Sequence, residues 1–402
     1  MMGEEMHEKK RVPAIRFAGF TEPWEQRKLE NLAVFNPKEN LPDEFEYVDL
    51  ESVVETEMLS HRTEKKATAP SRAQRLARLG DVFYQTVRPY QKNNYLFEKT
   101  DKYYVFSTGY AQLRPYNDGY FLFSLVQCES FVKVVLDHCT GTSYPAINSN
   151  DLAKINVFAP INAHEHKKIG KIFRNLDNLI TLHQRKCDAL KKVKKSLLQK
   201  MFPKEGSVVP EIRFAGFTEA WEQRKFGDLY ERVTEKNDLT YGIDKSITVA
   251  SMQYKKDGCI TNEDYLRTYT ICLLGDIVFE GHQSKQFRFG RFVENDLGNG
   301  IVSHIFMVFR PKTDYDLYFW KYAINNEQLM RKILSHCTKA SRMMNDLVIQ
   351  DFFKESMPVP TINEQQMIGH FFYKLDQLIT LHQRKLDQLK TIKKSLLQQM
   401  FV

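Results

Sequence analysis

The sequence predicts an α+β fold: two mixed α/β domains related by a pseudo-twofold axis and separated by two long antiparallel coiled-coil helices. Three observations carry this expectation. At 402 residues the chain exceeds one ordinary domain. It contains two long internal repeats, and each half closes on an unbroken heptad pattern of apolar residues. An apolar fraction of 42% and a charged fraction of 27% exclude wholesale disorder and a collagen-like repeat. No apolar run approaches the ~20 residues that span a bilayer, and the start, MMGEEMHEKKR, has no stretch of signal-peptide type, so a cytoplasmic chain is expected.

The first repeat is VPAIRFAGFTEPWEQRK from Val12 to Lys28, which returns from Val209 to Lys225 with changes only at Ala14/Glu211 and Pro23/Ala220. The second is LITLHQRKCDALKKVKKSLLQKMF from Leu179 to Phe202, which returns from Leu378 to Phe401 with few differences. Between them lie two segments, about Leu29 to Pro160 and Phe226 to Pro360, whose likeness is faint. These share a Gly-Asp before a strand-like run (Gly80-Asp81 and Gly275-Asp276) and a His-Cys-Thr (His138 to Thr140 and His336 to Thr338). One scaffold thus carries two different inserts, the pattern expected when one geometry presents two specificities.

Each half ends in a seam that steps by four and three. The first runs through Ile169, Phe173, Leu176, Ile180, His183, Cys187, Leu190, Lys194, Leu197 and Met201. Its copy runs through Ile368, Phe372, Leu375, Ile379, His382, Leu386, Leu389, Lys393, Leu396 and Met400. Pro160 and Pro360 precede these helices and Pro203 stops the first. About 38 residues at 1.5 Å each reach roughly 57 Å, too long to pack inside one small domain. An antiparallel pairing of the two seams sets His183 opposite Lys393 and Lys194 opposite His382, although a one-heptad slip also pairs them. The inserts read as mixed: Tyr103 to Phe106, Ile277 to Phe279 and Ile301 to Phe309 are strand-rich, while Phe121 to Asp137 and Leu317 to Leu334 have helical spacing. The expected domains are 1–160, 205–360 and the two helical segments 161–204 and 361–402.

Six cysteines (Cys128, Cys139, Cys187, Cys259, Cys272, Cys337) occur without a C-x-x-C pair, so they read as buried or bystander thiols. The net charge of +8, from 58 basic against 50 acidic residues, is compatible with a polyanionic partner. Cationic and amide side chains that hydrogen-bond phosphates and base edges gather after each Gly-Asp strand. In the second half they are His282, Gln283, Lys285, Arg288 and Arg291, flanked by Gly281 and Gly290; in the first they are Arg88, Tyr90, Gln91, Lys92, Asn93 and Asn94. Further candidates are Tyr254, Lys255 and Lys256, then Thr142, Ser143 and Tyr144, and their counterparts Ser341 and Arg342. The plainer alternative is an exposed hairpin with ordinary strand aromatics and a solvated lysine face.

Catalytic signatures are missing: there is no phosphate loop, cofactor glycine turn, H-E-x-x-H or G-x-S-x-G. Pro42-Asp43 with Glu64-Lys65-Lys66 imitates a nuclease pattern, a cheap match among 50 acidic residues. His164 and His166 lack a third metal ligand, so no metal site is expected. Asn36-Pro37-Lys38 lacks the second proline and aromatic of an amino-methyltransferase motif.

The two RFAGFTExWEQRK blocks and the two LITLHQRK…KKSLLQxMF helices, covering nearly the whole chain with their inserts, resemble the specificity subunit of type I restriction-modification systems. Ile362-Asn363-Glu364-Gln365-Gln366-Met367-Ile368, after Pro358 and Pro360, is similar to the start of that family's second conserved helix. The first half keeps Glu165 but has His166 where Gln365 stands. The resemblance implies a non-catalytic subunit whose two target-recognition domains each read one half of a bipartite, asymmetric site in double-stranded DNA. It implies helices that set the spacing and dock two modification (methyltransferase) subunits, with restriction/translocase subunits completing the complex. S-adenosylmethionine would then belong to the modification subunits, and ATP and Mg to the restriction subunits, leaving no cofactor in this chain and no membrane partner. The alternatives are a two-domain DNA-binding regulator and a coiled-coil scaffold without a restriction-modification role.

Overall fold

The computed structural model describes residues 12–141, 143–255, 263–341 and 344–402. It forms two compact units: the chain through Gln184 together with Arg384–Val402, and Arg185–Gln383. The division falls within the two heptad helices, so each unit contains the start of one and the end of the other.

In the first unit the recurring block supplies strand Glu25–Lys28, which pairs antiparallel with Asn156–Ala159. A four-stranded antiparallel sheet follows, in the order Ala33–Phe35, Tyr110–Pro115, Val82–Gln85, Tyr95–Leu96. A second sheet runs Arg62–Lys65, Glu44–Val48, Tyr104–Ser107, Ala73–Leu76, with Tyr104–Ser107 parallel to Glu44–Val48. Phe83 of one sheet stacks on Phe106 of the other at 3.6 Å. Helices α1 (Gly119–Gln127), α2 (Glu129–Asp137) and α3 (Ser149–Lys154) cover the first sheet, and Asp118 caps α1 by accepting from the Phe121 amide at 2.8 Å. The helical spacing of Phe121 to Asp137 is therefore divided in two, with extended backbone at Cys128.

Helix α4 spans Ala163–Lys200. In the second unit strand Glu222–Lys225 pairs with Ser356–Val359, and α5 (Phe226–Leu229) leads into a sheet ordered Tyr230–Val233, Met307–Pro311, Ile277–Glu280, Arg291–Glu294. This is the first unit's principal sheet again. The other strands form separate two-stranded pieces, among them Thr270–Cys272 with Gly300–Val302 and Thr338–Ala340 with Asn345–Leu347. Helices α6 (Leu317–Ala323), α7 (Glu327–Cys337) and α8 (Ile349–Lys354) precede α9 (Ile362–Gln399). The Leu317 to Leu334 run breaks where Asn326 caps α7, and the Ile301 to Phe309 run is two strands rather than one.

Within each unit α4 and α9 run antiparallel. In the first, Phe173 lies 5.8 Å from Phe401 and Lys393 reaches Asp177 at 2.6 Å; in the second, Phe202 lies 6.2 Å from Phe372 and Lys194 reaches Asp376 at 2.6 Å. The seam lysines, which the heptad reading sets against His183 and His382, are thus found in ion pairs with aspartates. A four-carbon stem lets the ammonium leave the seam for a flanking carboxylate. Of the seam residues, Ile169, Phe173, Cys187, Met201, Ile368, Phe372, Leu375, Leu386 and Met400 are buried, while Leu176, Ile180, Leu190, Leu197, Ile379, Leu389 and Leu396 are half-buried.

The recurring residues explain themselves as anchors. Arg16 makes two bonds to the buried Glu165 at 2.7 and 2.8 Å, and Arg213 makes two to Glu364 at 2.6 and 2.7 Å. Each clasp fastens the amino-terminal block to the first turn of a long helix. At the next residue, His166 Nε2 donates to the Pro160 carbonyl at 2.8 Å, and Gln365 Nε2 donates to the Pro360 carbonyl at 3.0 Å. Two different side chains therefore satisfy the same backbone acceptor. Gly170 and Gly369 are glycines because a Cβ there would lie 1.9 Å from Asp118 Oδ1 and 2.3 Å from Asp316 Oδ1, the carboxylates that cap α1 and α6.

Candidate nucleic-acid interface

The Gly-Asp shared by both inserts turns out to be a corner of the principal sheet. Gly80 and Gly275 take positive φ of 88° and 89°, and the following aspartates are buried. Asp81 accepts from the Arg78 amide and from Arg114; Asp276 accepts from the Leu273 amide and from Arg310. Sequence reasoning missed the two arginines, although both sit in an Arg-Pro pair ending a strand, Arg114-Pro115 and Arg310-Pro311. The corner leads the chain of each unit into a strand, Val82–Gln85 or Ile277–Glu280, whose far end opens into a loop.

In the first unit that loop is the turn from Arg88 to Lys92, with both end residues in the left-handed region at φ of 53° and 54°. The Arg88 amide donates to the Pro145 carbonyl at 2.7 Å, and Val87 bridges Ala146. The two candidate segments, far apart in sequence, are thereby brought side by side. The Arg88 guanidinium lies 4.2 Å from the centre of the Tyr144 ring, and its Nε is buried without a hydrogen-bond partner among the described residues. Tyr90 and Tyr144 are 50% and 64% exposed, and Ser143 is exposed beside them.

Other residues of the same turn serve the fold. Gln91 accepts from Gln85 at 3.1 Å, and Lys92 holds Glu129 at 2.6 Å and the Gln127 carbonyl at 3.0 Å. Asn93 accepts from the Glu55 amide, and Asn94, which is buried, accepts from the Gln85 amide. Those four have their polar groups directed inward or along the loop, which leaves Arg88, Tyr90, Ser143 and Tyr144 as the outward set.

The second unit repeats the convergence with different chemistry. His282 bridges Met344, and the Asn345 amide donates to the Gly281 carbonyl at 2.7 Å. Gly281 must be a glycine, since a Cβ would fall 2.2 Å from the Asn345 carbonyl oxygen. His282, Lys285, Arg288 and Ser341 are exposed; Gln283 is exposed but bonds Asn345 at 3.2 Å. Arg291 is tied to Glu280 at 2.7 Å and to the Ala250 carbonyl at 2.9 Å, so it braces the strand against the turn before Gln253. Beyond that turn Tyr254 bonds the Asn299 carbonyl, lies 4.7 Å from Lys245, and is followed by the exposed Lys255. Thr142, Lys256 and Arg342 lie outside the described residues, as does Cys259.

Behind the converging loops, burial pushes the Cys337 thiol up to about 12 and raises that of Cys139. Both are therefore unreactive thiols at neutral pH, as expected of bystanders. Lys66 donates its amide to the Asp43 carbonyl beside the paired strands Glu44–Val48 and Arg62–Lys65, but Glu64 is engaged by Arg62 at 2.8 Å. Among the described residues no group of three His, Cys, Asp or Glu side chains is placed to hold a metal ion. No single described helix is long and apolar enough to cross a membrane.

Comparison with known proteins gives a consistent answer. The family model described as the type I restriction modification DNA specificity domain matches residues 64–192 and 218–391. The type I restriction enzyme MjaVIII specificity subunit of Methanocaldococcus jannaschii is 22% identical over 299 residues, covering 70% of this chain and 68% of the relative. The solved S subunit of the type I restriction-modification system of M. genitalium superposes with a TM-score of 0.62 at 13% identity, over 97% of this chain and 99% of that one. A chain solved in work on complex assembly and conformational transition of the type I R-M system gives 0.52 at 18% identity, over 94% and 98%.

Proposed function

Since this chain belongs to the type I restriction-modification DNA specificity family and serves the recognition of DNA sequence, we propose that each unit reads one half of a bipartite, asymmetric site with its pair of converging loops. The observation that carries this reading is the shared convergence. In both units the loop beyond the strand that follows the Gly-Asp corner meets the loop before the last short helix, and the side chains at that junction differ: the half-buried Arg88 with the exposed Tyr90, Ser143 and Tyr144, against the exposed His282, Lys285, Arg288 and Ser341. Arginine and lysine suit guanine edges and phosphates, and the exposed tyrosines offer flat surfaces for sugar and base contacts.

On this reading residues 1–160 and 205–360 are the readers, and 161–204 and 361–402 are helices that set half-site spacing as a coiled coil. The chain itself is non-catalytic and acts in the cytoplasm. Two modification subunits, bringing S-adenosylmethionine, dock on the helices, and restriction/translocase subunits bring ATP and Mg. Exposed leucines recurring at the same places in both helices support the docking: Leu179 and Leu182 in one, Leu378 and Leu381 in the other.

The test is a block exchange. Replacing residues 29–160 with the corresponding block of a relative, then mapping methylated adenines in cells carrying the complete system, is expected to change one half of the methylated sequence and spare the other. A change in both halves together refutes separate readers.

A further inference from the structure

Asn345 occupies a singular place in the second unit. It opens strand Asn345–Leu347, is 5% exposed, and touches the loop Gly281–Arg288 at three points. Its amide N–H donates to the Gly281 carbonyl at 2.7 Å, its Oδ1 accepts from Gln283 Nε2 at 3.2 Å, and its Nδ2 donates to the Arg288 carbonyl at 3.0 Å. The carbonyl at Arg288 can only accept, which fixes the orientation of the side-chain amide. One asparagine therefore ties both ends of the loop to the same strand.

What the loop then displays is defined. Ser284 N–H donates to the Phe287 carbonyl at 3.1 Å and Phe287 N–H to Ser284 Oγ at 3.0 Å, so residues 284–287 form a turn with Lys285 and Gln286 at its exposed tip. In the first unit the residue at the matching position is Ile147, whose amide donates to the Thr86 carbonyl at 3.0 Å as the Asn345 amide donates to that of Gly281, and which has no side-chain amide to give. The fold of this corner thus does not demand an asparagine. A buried amide that satisfies a carbonyl and an amide of one exposed loop serves the shape of that loop.

We propose that Asn345 is the positioning residue of the second reader, holding the loop so that Lys285 and Gln286 meet the DNA in one fixed pose. The proposal rests on the reading that this loop contacts DNA. A loop ordered before binding loses less freedom on contact, and a fixed pose is what separates a correct base from an incorrect one.

The experiment uses the full chain assembled with its modification subunit and duplexes carrying the site obtained from the methylation map, with single base changes in each half. N345A is expected to lose about tenfold of its preference for the correct bases in one half, a base contact's usual share, and to leave the other half unchanged. Adding K285A to N345A is expected to cost less than about a further twofold, although K285A alone weakens binding, because a misplaced lysine has little left to lose. N345D keeps the acceptor for Gln283 and loses only the donor to Arg288; it reports the same loss should N345A melt early. Unchanged discrimination in both variants, or fully additive effects with K285A, overturns the proposal. A wild-type complex that fails to discriminate base changes in either half overturns the underlying reading instead.

Discussion

Asp81 and Arg114 form a two-bonded ion pair, 2.9 Å from Oδ1 to Nε and 2.8 Å from Oδ2 to Nη2, with the carboxylate all but withdrawn from water. Asp276 and Arg310 repeat it with both bonds at 3.0 Å. The pair joins neighbouring strands of the principal sheet at the entry to the strand whose far end opens into the candidate loop. It holds the geometry common to both units, whereas the loop side chains beyond the far end of the strand differ between them.

Removing one partner leaves a buried charge uncompensated, which costs about 3 to 5 kcal/mol. R114A is therefore expected to lower the unfolding midpoint of the first unit strongly, and R310A that of the second. Urea titration of the full chain followed by hydrogen exchange in each principal sheet separates the two. If R114A loosened neither sheet, the corner would not be structural.

His166 and Gln365 cap equivalent carbonyls, so H166Q is expected to be nearly neutral at pH 7.5, while H166A orphans the Pro160 carbonyl and costs about 1 to 3 kcal/mol. Burial also lowers the pKa of His166 below its ordinary 6.5. The neutral ring is thus the folded form, and the unfolded chain takes up a proton as pH falls below 6.5, so stability present above that value is lost on acidification. H166Q removes this dependence. Midpoints for wild type and H166Q that stay parallel between pH 7.5 and 5 would contradict it.

Glu294 faces Ile277 across a strand pair in the position where Leu96 faces Val82. Both of its carboxyl oxygens are buried without a hydrogen-bond partner among the described residues, and burial raises its pKa well above the usual carboxylate value. The neutral acid is the folded form. Stability is then undiminished below about pH 4.5 and declines as pH rises, by as much as ~1.4 kcal/mol per pH unit until the folded pKa is reached. E294L is expected to stabilise the second unit at pH 8 and to have little effect at pH 4; a uniform shift at both would show a packing effect alone.

The long helices, their antiparallel pairing and the anchoring blocks were legible in the sequence because each is fixed by local periodicity or by near-verbatim recurrence. The second sheet of the first unit was not, since Tyr104–Ser107 pairs in parallel with a strand more than fifty residues away and no local signal declares such a partner. Residue type and loop position selected Tyr144, Lys285 and Arg288, which are exposed where the loops converge, and Arg88, which is half-buried there. The same signals also selected Lys92, Asn94 and Arg291, whose polar groups are engaged by Glu129, Gln85 and Glu280. A sequence states what a side chain can bond and not what already bonds it. Asn345 escaped notice for the complementary reason: its importance lies in contacts to a loop some sixty residues earlier.

The exposed leucines give the last prediction. Leu179 and Leu182 are 43% and 46% exposed, and Leu378 and Leu381 are 46% and 53% exposed, although the buried faces of the same helices have ample apolar residues. Residues three apart share one side of a helix, so each copy presents a small apolar ridge outside its seam. Nothing in the folding of either unit calls for leucine there, and exposed substitutions of this kind usually alter stability by less than about 0.5 kcal/mol. About half of each leucine is already covered, so a partner that buries the rest would gain about 0.7 to 1.5 kcal/mol per leucine. L179K with L182K is thus expected to leave the melting profile unchanged while weakening capture of the modification subunit about tenfold or more. Adding L378K and L381K is expected to abolish it. The stoichiometry by light scattering is the decisive readout, because on the proposed docking of two modification subunits loss of one ridge should yield complexes with one. Two modification subunits retained on the quadruple variant, with affinity unchanged, would place the docking surface elsewhere.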